Sequence, residues 1–362
     1  MKIGIVGLPN VGKSTLFNAL TKTKTAEAAN YPFCTIDPNV GIVKVPDKRL
    51  DKIADIIKPQ KTIAAVTEFV DIAGLVKGAS TGEGLGNKFL AHIRECDAIA
   101  QLVRVFENND ITHVHESVNP KRDIEIIETE LILADLQTVE NQVNKFAKEI
   151  KAQKKDAKEN HDFFCKIKEH LEKGQKIFNL EFNTSEQDIL KTCHLLTAKP
   201  FLYIANVNEN DLNDFQENAY KEKLGLAEND IVVPICAQLE EDLAEMEEDE
   251  TNEFLQELGI KESGRSQLIR AAYETLGLET YFTAGEKEVR AWTFKKGSSA
   301  PVCAGLIHTD FEKGFICADV MSYDDFIASN GWSMARDKGL VRMEGRDYLM
   351  QDGDVCLFKF NV

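Results

Sequence analysis

The chain has 362 residues, enough for two or three domains, and its 43% of hydrophobic residues excludes wholesale disorder. It carries 43 Lys and Arg against 60 Asp and Glu, a net charge of −17 that argues against a protein coated in basic surface for nucleic acid. The eight cysteines are scattered without a CxxC pair, which is typical of reduced thiols in a cytoplasmic protein. No apolar run approaches the ~18 residues of a membrane span, so we expect no membrane partner.

The acidic excess is concentrated in one part of the chain. Residues 198–277 carry −13 of the net charge, whereas residues 1–123 carry +2. The charge therefore indicates one acidic face and leaves the other segments free to approach RNA.

Short apolar runs of strand character alternate with helical patterns in residues 1–123 and again in residues 198–277. This alternation predicts an α/β fold with a largely parallel sheet. The predicted strands are residues 2–6, Gly41–Val45, Thr62–Val70, Ala98–Val105, Phe201–Asn206 and Ile231–Ile235.

The alternation is interrupted by residues 124–197, a segment without proline that is rich in Glu, Lys, Gln and Ala. Apolar residues at heptad spacing predict a long helix with one apolar seam, and a return helix would cover that seam. We therefore predict a coiled-coil hairpin inserted between the fourth and fifth strands, with an intermolecular coiled coil as the alternative. The seam consists of Ile132, Leu136, Val139, Val143, Phe146 and Ile150, and the return helix carries Ile189, Leu190, Cys193 and Leu196.

From residue 278 the pattern changes to short β-like runs divided by glycine-bearing turns, which predicts a small β-rich domain over residues 278–362. Residues 1–123 and 198–277 then form the main domain, into which the helical hairpin of residues 124–197 is inserted.

A phosphate-binding loop opens the chain. Residues 7–14 match GxxxxGK[ST] completely and lie between an apolar strand and a helix. The glycines let the backbone curl so that successive N–H groups face an anion, and the helix N-terminus adds its dipole. We expect Lys13 to reach the β- and γ-phosphates and the Ser14 hydroxyl to ligate Mg²⁺. The main domain is therefore predicted to be a P-loop NTPase.

Other residues are candidates to complete the metal and γ-phosphate site. Asp71 ends an apolar run and begins an Asp-x-x-Gly pattern, so its carboxylate would hold Mg²⁺ through water and the Gly74 amide would meet the γ-phosphate. Thr35 lies in an upstream loop, and its hydroxyl would complete the Mg²⁺ shell when γ-phosphate is present.

The base-recognition stretch departs from the Asn-Lys-x-Asp pattern with which related GTPases read guanine. Asn206 is present, Val207 replaces the Lys, and Glu209 replaces the Asp with a longer stem. Adenine offers an N1 acceptor and no 2-amino group, and an Asn side chain can pair with its amino and N7 edge. We therefore predict that ATP is preferred over GTP, with a degenerate GTP-binding motif as the alternative.

Leu75 stands where a glutamine commonly orients the attacking water, so we predict slow hydrolysis. Another group must then assist the attacking water. The candidates are a polar side chain, for which we consider His113 and His115, a K⁺ ion near Asn10, and the substrate phosphate itself.

These motifs together resemble the YchF family of Obg-like ATPases over essentially the whole chain. The resemblance implies ATP preference, Mg²⁺ dependence, binding to 70S ribosomes or their large subunit, and a C-terminal TGS (β-grasp) domain. It is carried by residues 7–14, 31–35, 71–78, 206–209, 282–285 and 289–292. By position, Asn10, Val11, Gly12, Lys13, Ser14 and Thr15 would wrap the phosphates, Ser14 and Thr35 would bind Mg²⁺, and Asn206 and Val207 would contact adenine.

Three functions are consistent with these residues: a slow ATP-hydrolysing switch on the ribosome, which we favour, a GTPase of the same architecture, and a non-hydrolysing nucleotide-dependent binding module. We expect a cytoplasmic monomer. RNA contact would run through clustered lysines of the helical arm (residues 124–197) or through the C-terminal domain.

Overall fold

The computed structural model of the chain separates into two compact units, each described here by itself. Unit 1 comprises Met1–Ile42 and Glu68–Ala271, and unit 2 comprises Val43–Thr67 and Ala272–Val362. The structure describes residues 1–21, 39–72, 84–108, 110–115 and 117–361.

Twelve strands occur in the described ranges and form two six-stranded sheets. In chain order they are β1 (Lys2–Val6), β2 (Val40–Lys44), β3 (Lys61–Ile63), β4 (Val66–Asp71), β5 (Ala98–Arg104), β6 (Phe201–Asn206), β7 (Ile231–Ile235), β8 (Leu278–Ala284), β9 (Glu288–Lys295), β10 (Phe315–Ser322), β11 (Arg342–Glu344) and β12 (Asp354–Phe360).

The α-helices of the described residues are numbered in the same way. They are α1 (Lys13–Thr21), α2 (Lys48–Ile57), α3 (Gly84–Arg94), α4 (Pro120–Lys151), α5 (Ala157–Glu172), α6 (Thr184–Cys193), α7 (Glu217–Leu224), α8 (Ala237–Leu243), α9 (Glu248–Glu257), α10 (Gly264–Leu276), α11 (Ala300–Ile307), α12 (Thr309–Lys313), α13 (Tyr323–Ala328) and α14 (Trp332–Asp337). None of them is long and apolar enough to cross a membrane.

The first sheet has the strand order β2-β4-β1-β5-β6-β7. The pairings β1–β4, β1–β5, β5–β6 and β6–β7 are all parallel, which confirms the predicted α/β fold. Every residue of β5 and β6 is buried, as expected for strands with helices on both faces. Because these strands are parallel, their carboxyl ends lie at one edge of the sheet, where open α/β sheets bind ligands.

The strand predicted at Thr62–Val70 is wrong as a single element. Residues 61–63 form β3, which pairs in parallel with β9 in the second sheet, whereas β4 begins at Val66 and pairs with β1 in the first. The chain leaves one sheet for the other at Ala65, whose carbonyl accepts the Val45 N–H at 2.8 Å. Residues 43–67 therefore group with the C-terminal segment, although the sequence had placed them in the main domain.

The helical hairpin is confirmed, but its return helix is not the one predicted. Helix α4 is 32 residues long and packs mainly against α5, after a turn in which Gln153 and Asp156 reverse the chain with positive φ angles of 56° and 59°. The residues predicted for the return helix lie on and just after α6, the third helix of a small bundle. Their shared core contains Ile132, Val139, Phe163, Phe164, Ile167, Leu171, Ile177 and Leu195.

Unit 2 contains the predicted C-terminal β-rich domain. Its sheet has the order β11-β10-β12-β8-β9-β3, with antiparallel pairing except for β12–β8 and β3–β9. One apolar cluster, which includes Leu50, Ile53 and Phe326, joins α2 and α13 to the sheet. The early segment of the chain thus completes the core of this unit.

Candidate nucleotide-binding site

The loop between β1 and α1 has the backbone form that the phosphate-binding pattern requires. Gly12 has φ of +98°, and Asn10 also adopts a left-handed conformation with φ of 64°. A Cβ atom at Gly7 would lie 2.9 Å from the Leu102 carbonyl oxygen, so the loop passes close to β5 at a point where only glycine fits. The first turn of α1 closes with Leu16 N–H donating to Gly12 O at 2.9 Å.

Lys13 and Asp71 meet at the carboxyl edge of the first sheet. The ammonium of Lys13 donates to Oδ1 of Asp71, and the two side chains are only 11% and 21% exposed. The sequence assigned these groups to different partners, Lys13 to phosphate and Asp71 to a metal. Their contact places the predicted phosphate-binding cation and the predicted metal ligand side by side.

The oxygen groups at this edge fit Mg²⁺. Ser14 is exposed in the first turn of α1, and Asp71 stands at the end of β4. A hydroxyl and a carboxylate are the hard oxygen donors that Mg²⁺ prefers, and Mg²⁺ commonly takes few protein ligands with substrate phosphates. Thr35 and Gly74, the other residues predicted here, lie outside the described residues, as does Leu75.

Asn206 ties the phosphate-binding loop to the ends of β6 and β7, where the sequence predicts base recognition. Its side chain is 4% exposed, its Nδ2 donates to Val11 O at 2.8 Å, and its Oδ1 accepts from Ala237 N–H at 3.1 Å. Gly12 leaves room for this clamp, because a Cβ atom there would lie 2.4 Å from Asn206 Nδ2. One buried amide therefore holds the ends of β1, β6 and β7 together.

The other residues of the predicted base-recognition stretch differ in their exposure to solvent. Val207 is buried, with its N–H donating to Ile235 O at 2.9 Å, and Glu209 is exposed in a short 3₁₀ turn. Cys236, directly after β7, is buried, and that burial raises the pKa of its thiol. A neutral thiol and an exposed carboxylate thus flank the Asn206 clamp.

The segment after β5 reaches the phosphate-binding loop. Asn10 Nδ2 donates to Thr112 O at 3.1 Å. The next residue, His113, is buried, with its Nε2 2.9 Å from Oδ2 of the buried Asp123 in α4 and its Nδ1 accepting from His115 N–H at 3.2 Å. The backbone beside His113 is therefore at the loop, while its ring is turned toward α4.

Arg104 is the residue of this region that the sequence did not reveal. It ends β5, is 1% exposed, and lies opposite Asn206 in the β5–β6 pairing. An arginine at a strand end is normally exposed to solvent, so the neighbouring sequence does not predict that this side chain is buried.

Comparison with known proteins identifies the family. Residues 2–158 match the family model described as "50S ribosome-binding GTPase", and residues 278–361 match YchF-GTPase_C, described as "Protein of unknown function (DUF933)". Proteins named "Ribosome-binding ATPase YchF" from Bacillus subtilis and Escherichia coli O157:H7 are 54% and 53% identical, over 99% and 100% of this chain and 99% of each relative.

A solved structure agrees with these matches. The structure described as the Schizosaccharomyces pombe YchF GTPase is 40% identical, with a TM-score of 0.87, over 99% of this chain and 97% of that one. The Lys13–Asp71–Asn206 site, the two sheets and the helical insertion thus occur in a chain that is 40–54% identical, over nearly its full length, to these three proteins named YchF. The chain belongs to the YchF family of P-loop nucleotide hydrolases.

Proposed function

We propose that this chain is a Mg²⁺-dependent ATPase with slow intrinsic turnover that acts as a nucleotide switch on the ribosome. The observation that carries the proposal is the convergence of Lys13, Asp71 and Asn206 at the carboxyl edge of the first sheet. Those three side chains supply a phosphate-binding cation, a metal ligand and a clamp beside the base.

The preference for ATP rests on the residues that follow the clamp. A primary amide has two N–H donors, and Asn206 uses one on Val11 O, which leaves one for a purine N7. Adenine and guanine both have N7, so a contact to N7 does not distinguish them. The distinction between the bases therefore depends on Val207, which replaces the Lys of guanine-binding proteins, and on Glu209, which replaces their shorter Asp. The names of the relatives divide between ATPase and GTPase, so they do not decide the base.

Hydrolysis would proceed by in-line attack of water on the γ-phosphate, with catalysis supplied by position and charge. Lys13 would neutralise phosphate charge, and Ser14, Thr35 and Asp71 would hold Mg²⁺, which supplies Lewis acidity when bound. The Gly74 amide would donate to the γ-phosphate.

We propose His113 as the group that orients the attacking water, with a K⁺ ion near Asn10 as the alternative source of assistance. Both ring nitrogens of His113 have close neighbours, Asp123 and His115 N–H. The ring would have to exchange one of these neighbours for water, which accounts for slow turnover.

Phosphate release by the purified chain tests this assignment. We expect ATP hydrolysis well below one turnover per second, lost in Lys13→Ala and reduced about 100-fold in His113→Ala. Faster hydrolysis of GTP than of ATP would favour the GTPase alternative. Phosphate release unchanged in Lys13→Ala would favour a non-hydrolysing module with a contaminating activity.

Ribosome association is proposed from the relatives' names and from the tip of the helical arm. Lys148, Lys151, Lys154, Lys155 and Lys158 are all exposed there, Lys155 at 93%, although Lys154 and Lys155 also have acidic neighbours. A basic tip on a chain of net charge −17 is suited to the phosphates of RNA. We further propose that the protein is a cytoplasmic monomer.

Ribosome co-sedimentation of charge-reversal variants tests the surface. Reversal of Lys151, Lys155 and Lys158 to Glu is expected to weaken binding at least tenfold and to lower its salt dependence. The matched control reverses Lys295, Lys296 and Lys338 in the C-terminal domain, all of them exposed. A larger loss in the control would assign the RNA contact to the C-terminal domain instead.

A further inference from the structure

Arg104 organises the segment that follows β5. Its Nε donates to Phe106 O at 3.0 Å, its Nη1 to Ile111 O at 3.1 Å and its Nη2 to Asn108 O at 3.0 Å. Its guanidinium carbon also lies 4.7 Å from the centre of the Phe106 ring. The backbone after β5 is thus wrapped around one rigid planar group, and each of its three nitrogens binds a different carbonyl.

This arrangement is costly for a residue that only fills space. The side chain is 1% exposed, and among the described residues its guanidinium forms no ion pair with a carboxylate. Removal of a cation from water carries a large desolvation penalty, which carbonyl oxygens offset only in part. An apolar side chain would fill the same volume without that penalty, so the geometry favours a role in shaping the backbone.

The shaped segment ends at the phosphate-binding loop. Immediately after Ile111, Thr112 offers its carbonyl to Asn10 at 3.1 Å, and His113 follows with its ring against Asp123. Arg104 itself lies beside Asn206, the clamp of the same loop, and the N–H of Val105 donates to Asn206 O at 2.9 Å. Arg104 is therefore linked to the segment that carries His113 through its side chain, and to the clamp residue through the backbone pairing of β5 with β6.

We infer that Arg104 is a positioning residue for nucleotide hydrolysis, which holds the carbonyls of Phe106, Asn108 and Ile111 so that the backbone beside His113 stays at the phosphate-binding loop. The inference rests on the proposed function, because it assigns Arg104 an effect on turnover that is transmitted through His113. Arg104 touches neither phosphate nor base in this account. Its removal should therefore change the rate of hydrolysis far more than the affinity for nucleotide.

The first variant is Arg104→Lys, which keeps the charge but loses the planar fork that reaches three carbonyls at once. We expect kcat for ATP to fall about tenfold or more, because a displacement near 1 Å of a catalytic group can cost about 100-fold. The nucleotide dissociation constant should stay within about threefold of the wild-type value. The matched control is Arg270→Lys, because Arg270 is an exposed arginine of the same unit. Its kcat and nucleotide dissociation constant should equal those of wild type.

A double-mutant cycle with His113→Ala separates positioning from a general loss of structure. If Arg104 acts through His113, Arg104→Lys should lower kcat in the wild-type background and have no further effect in the His113→Ala background. Urea unfolding of each variant reports the folded fraction, and kcat is expressed per folded molecule. Arg104→Met, which removes the charge as well, should unfold at lower urea than Arg104→Lys.

The inference is overturned if Arg104→Lys leaves kcat per folded molecule unchanged, or lowers it equally in both backgrounds. An equal loss of kcat and nucleotide affinity would also overturn it, because that pattern assigns Arg104 to binding. Failure of the proposed function has a different outcome: wild-type protein that releases no phosphate from any nucleotide. That result would remove both conclusions together.

Discussion

Replacement of Asn206 by Ala should destabilise the main domain even without nucleotide. The amide is 4% exposed and bonds to two backbone groups, Val11 O and Ala237 N–H, which belong to buried residues. Each buried polar group left without a partner costs about 1–3 kcal/mol, so the loss of partners for two groups predicts a fall of about 2–6 kcal/mol in the free energy of unfolding. Entry of water into the space would move the value toward the lower end.

Urea unfolding of the nucleotide-free protein measures this loss, and a binding titration measures the accompanying fall in ATP affinity. Asn213→Ala is the control, because that exposed amide makes one hydrogen bond to Leu258 O at 2.8 Å and its removal should cost below about 1 kcal/mol. If Asn206→Ala unfolds within about 0.5 kcal/mol of wild type and binds ATP equally well, the clamp does not hold the loop and the reasoning fails.

Three further variants test neighbouring parts of the account. Gly12→Ala places a Cβ 2.4 Å from Asn206 Nδ2 at φ of +98°, so ATP affinity in a titration should fall at least about tenfold, and an unchanged value would contradict the loop geometry. Asp71→Asn should remove most of the gain in nucleotide affinity that Mg²⁺ provides. In EDTA its nucleotide affinity should equal or exceed that of wild type, because Lys13 loses its acidic partner. Equal losses of affinity with and without Mg²⁺ would refute this. Burial raises the pKa of the Cys96 thiol from 9.0 to about 11, so its contribution to stability is present below pH 9 and is lost as the pH rises toward 11. Between pH 8 and 10.5, urea unfolding should show wild type losing about 2 kcal/mol more than Cys96→Ala, and identical losses would show that the thiol is not involved.

Sequence patterns predicted the parts of this fold that depend on local chemistry. The phosphate-binding loop was recognisable because its glycines meet a steric requirement within a few residues, as the 2.9 Å approach at Gly7 shows. The strand ending in Asp71 and the long helix α4 were recognisable because burial imposes a period on their apolar residues. These are constraints that a short stretch of chain carries by itself.

The errors arose where distant segments decide the structure. The stretch Thr62–Val70 has strand character along its whole length, but its first part pairs with β9, more than 200 residues later in the chain. The return helix was placed around residues 189–196 because their spacing is helical, whereas α5 follows α4 directly and shares more of its surface. Periodicity identifies an apolar face and does not say which of two candidates covers it.

Arg104 shows the same limit within the candidate site. Its three acceptors are backbone carbonyls, which every residue possesses. The residue types at positions 106–111 therefore do not predict these hydrogen bonds. The clamp made by Asn206 was foreseen only as a base contact, because its bonds to Val11 and Ala237 require three strand ends to meet.

Direct competition between ATP and GTP for the purified, nucleotide-free chain in the presence of Mg²⁺ tests the central claim. We expect ATP to bind at least about tenfold more tightly than GTP, because Val207 and Glu209 do not supply the guanine contacts that a Lys stem and a short carboxylate would make. A tenfold ratio of dissociation constants corresponds to only about 1.4 kcal/mol. A dissociation constant for GTP equal to or below that for ATP would contradict the assignment of this chain as an ATPase.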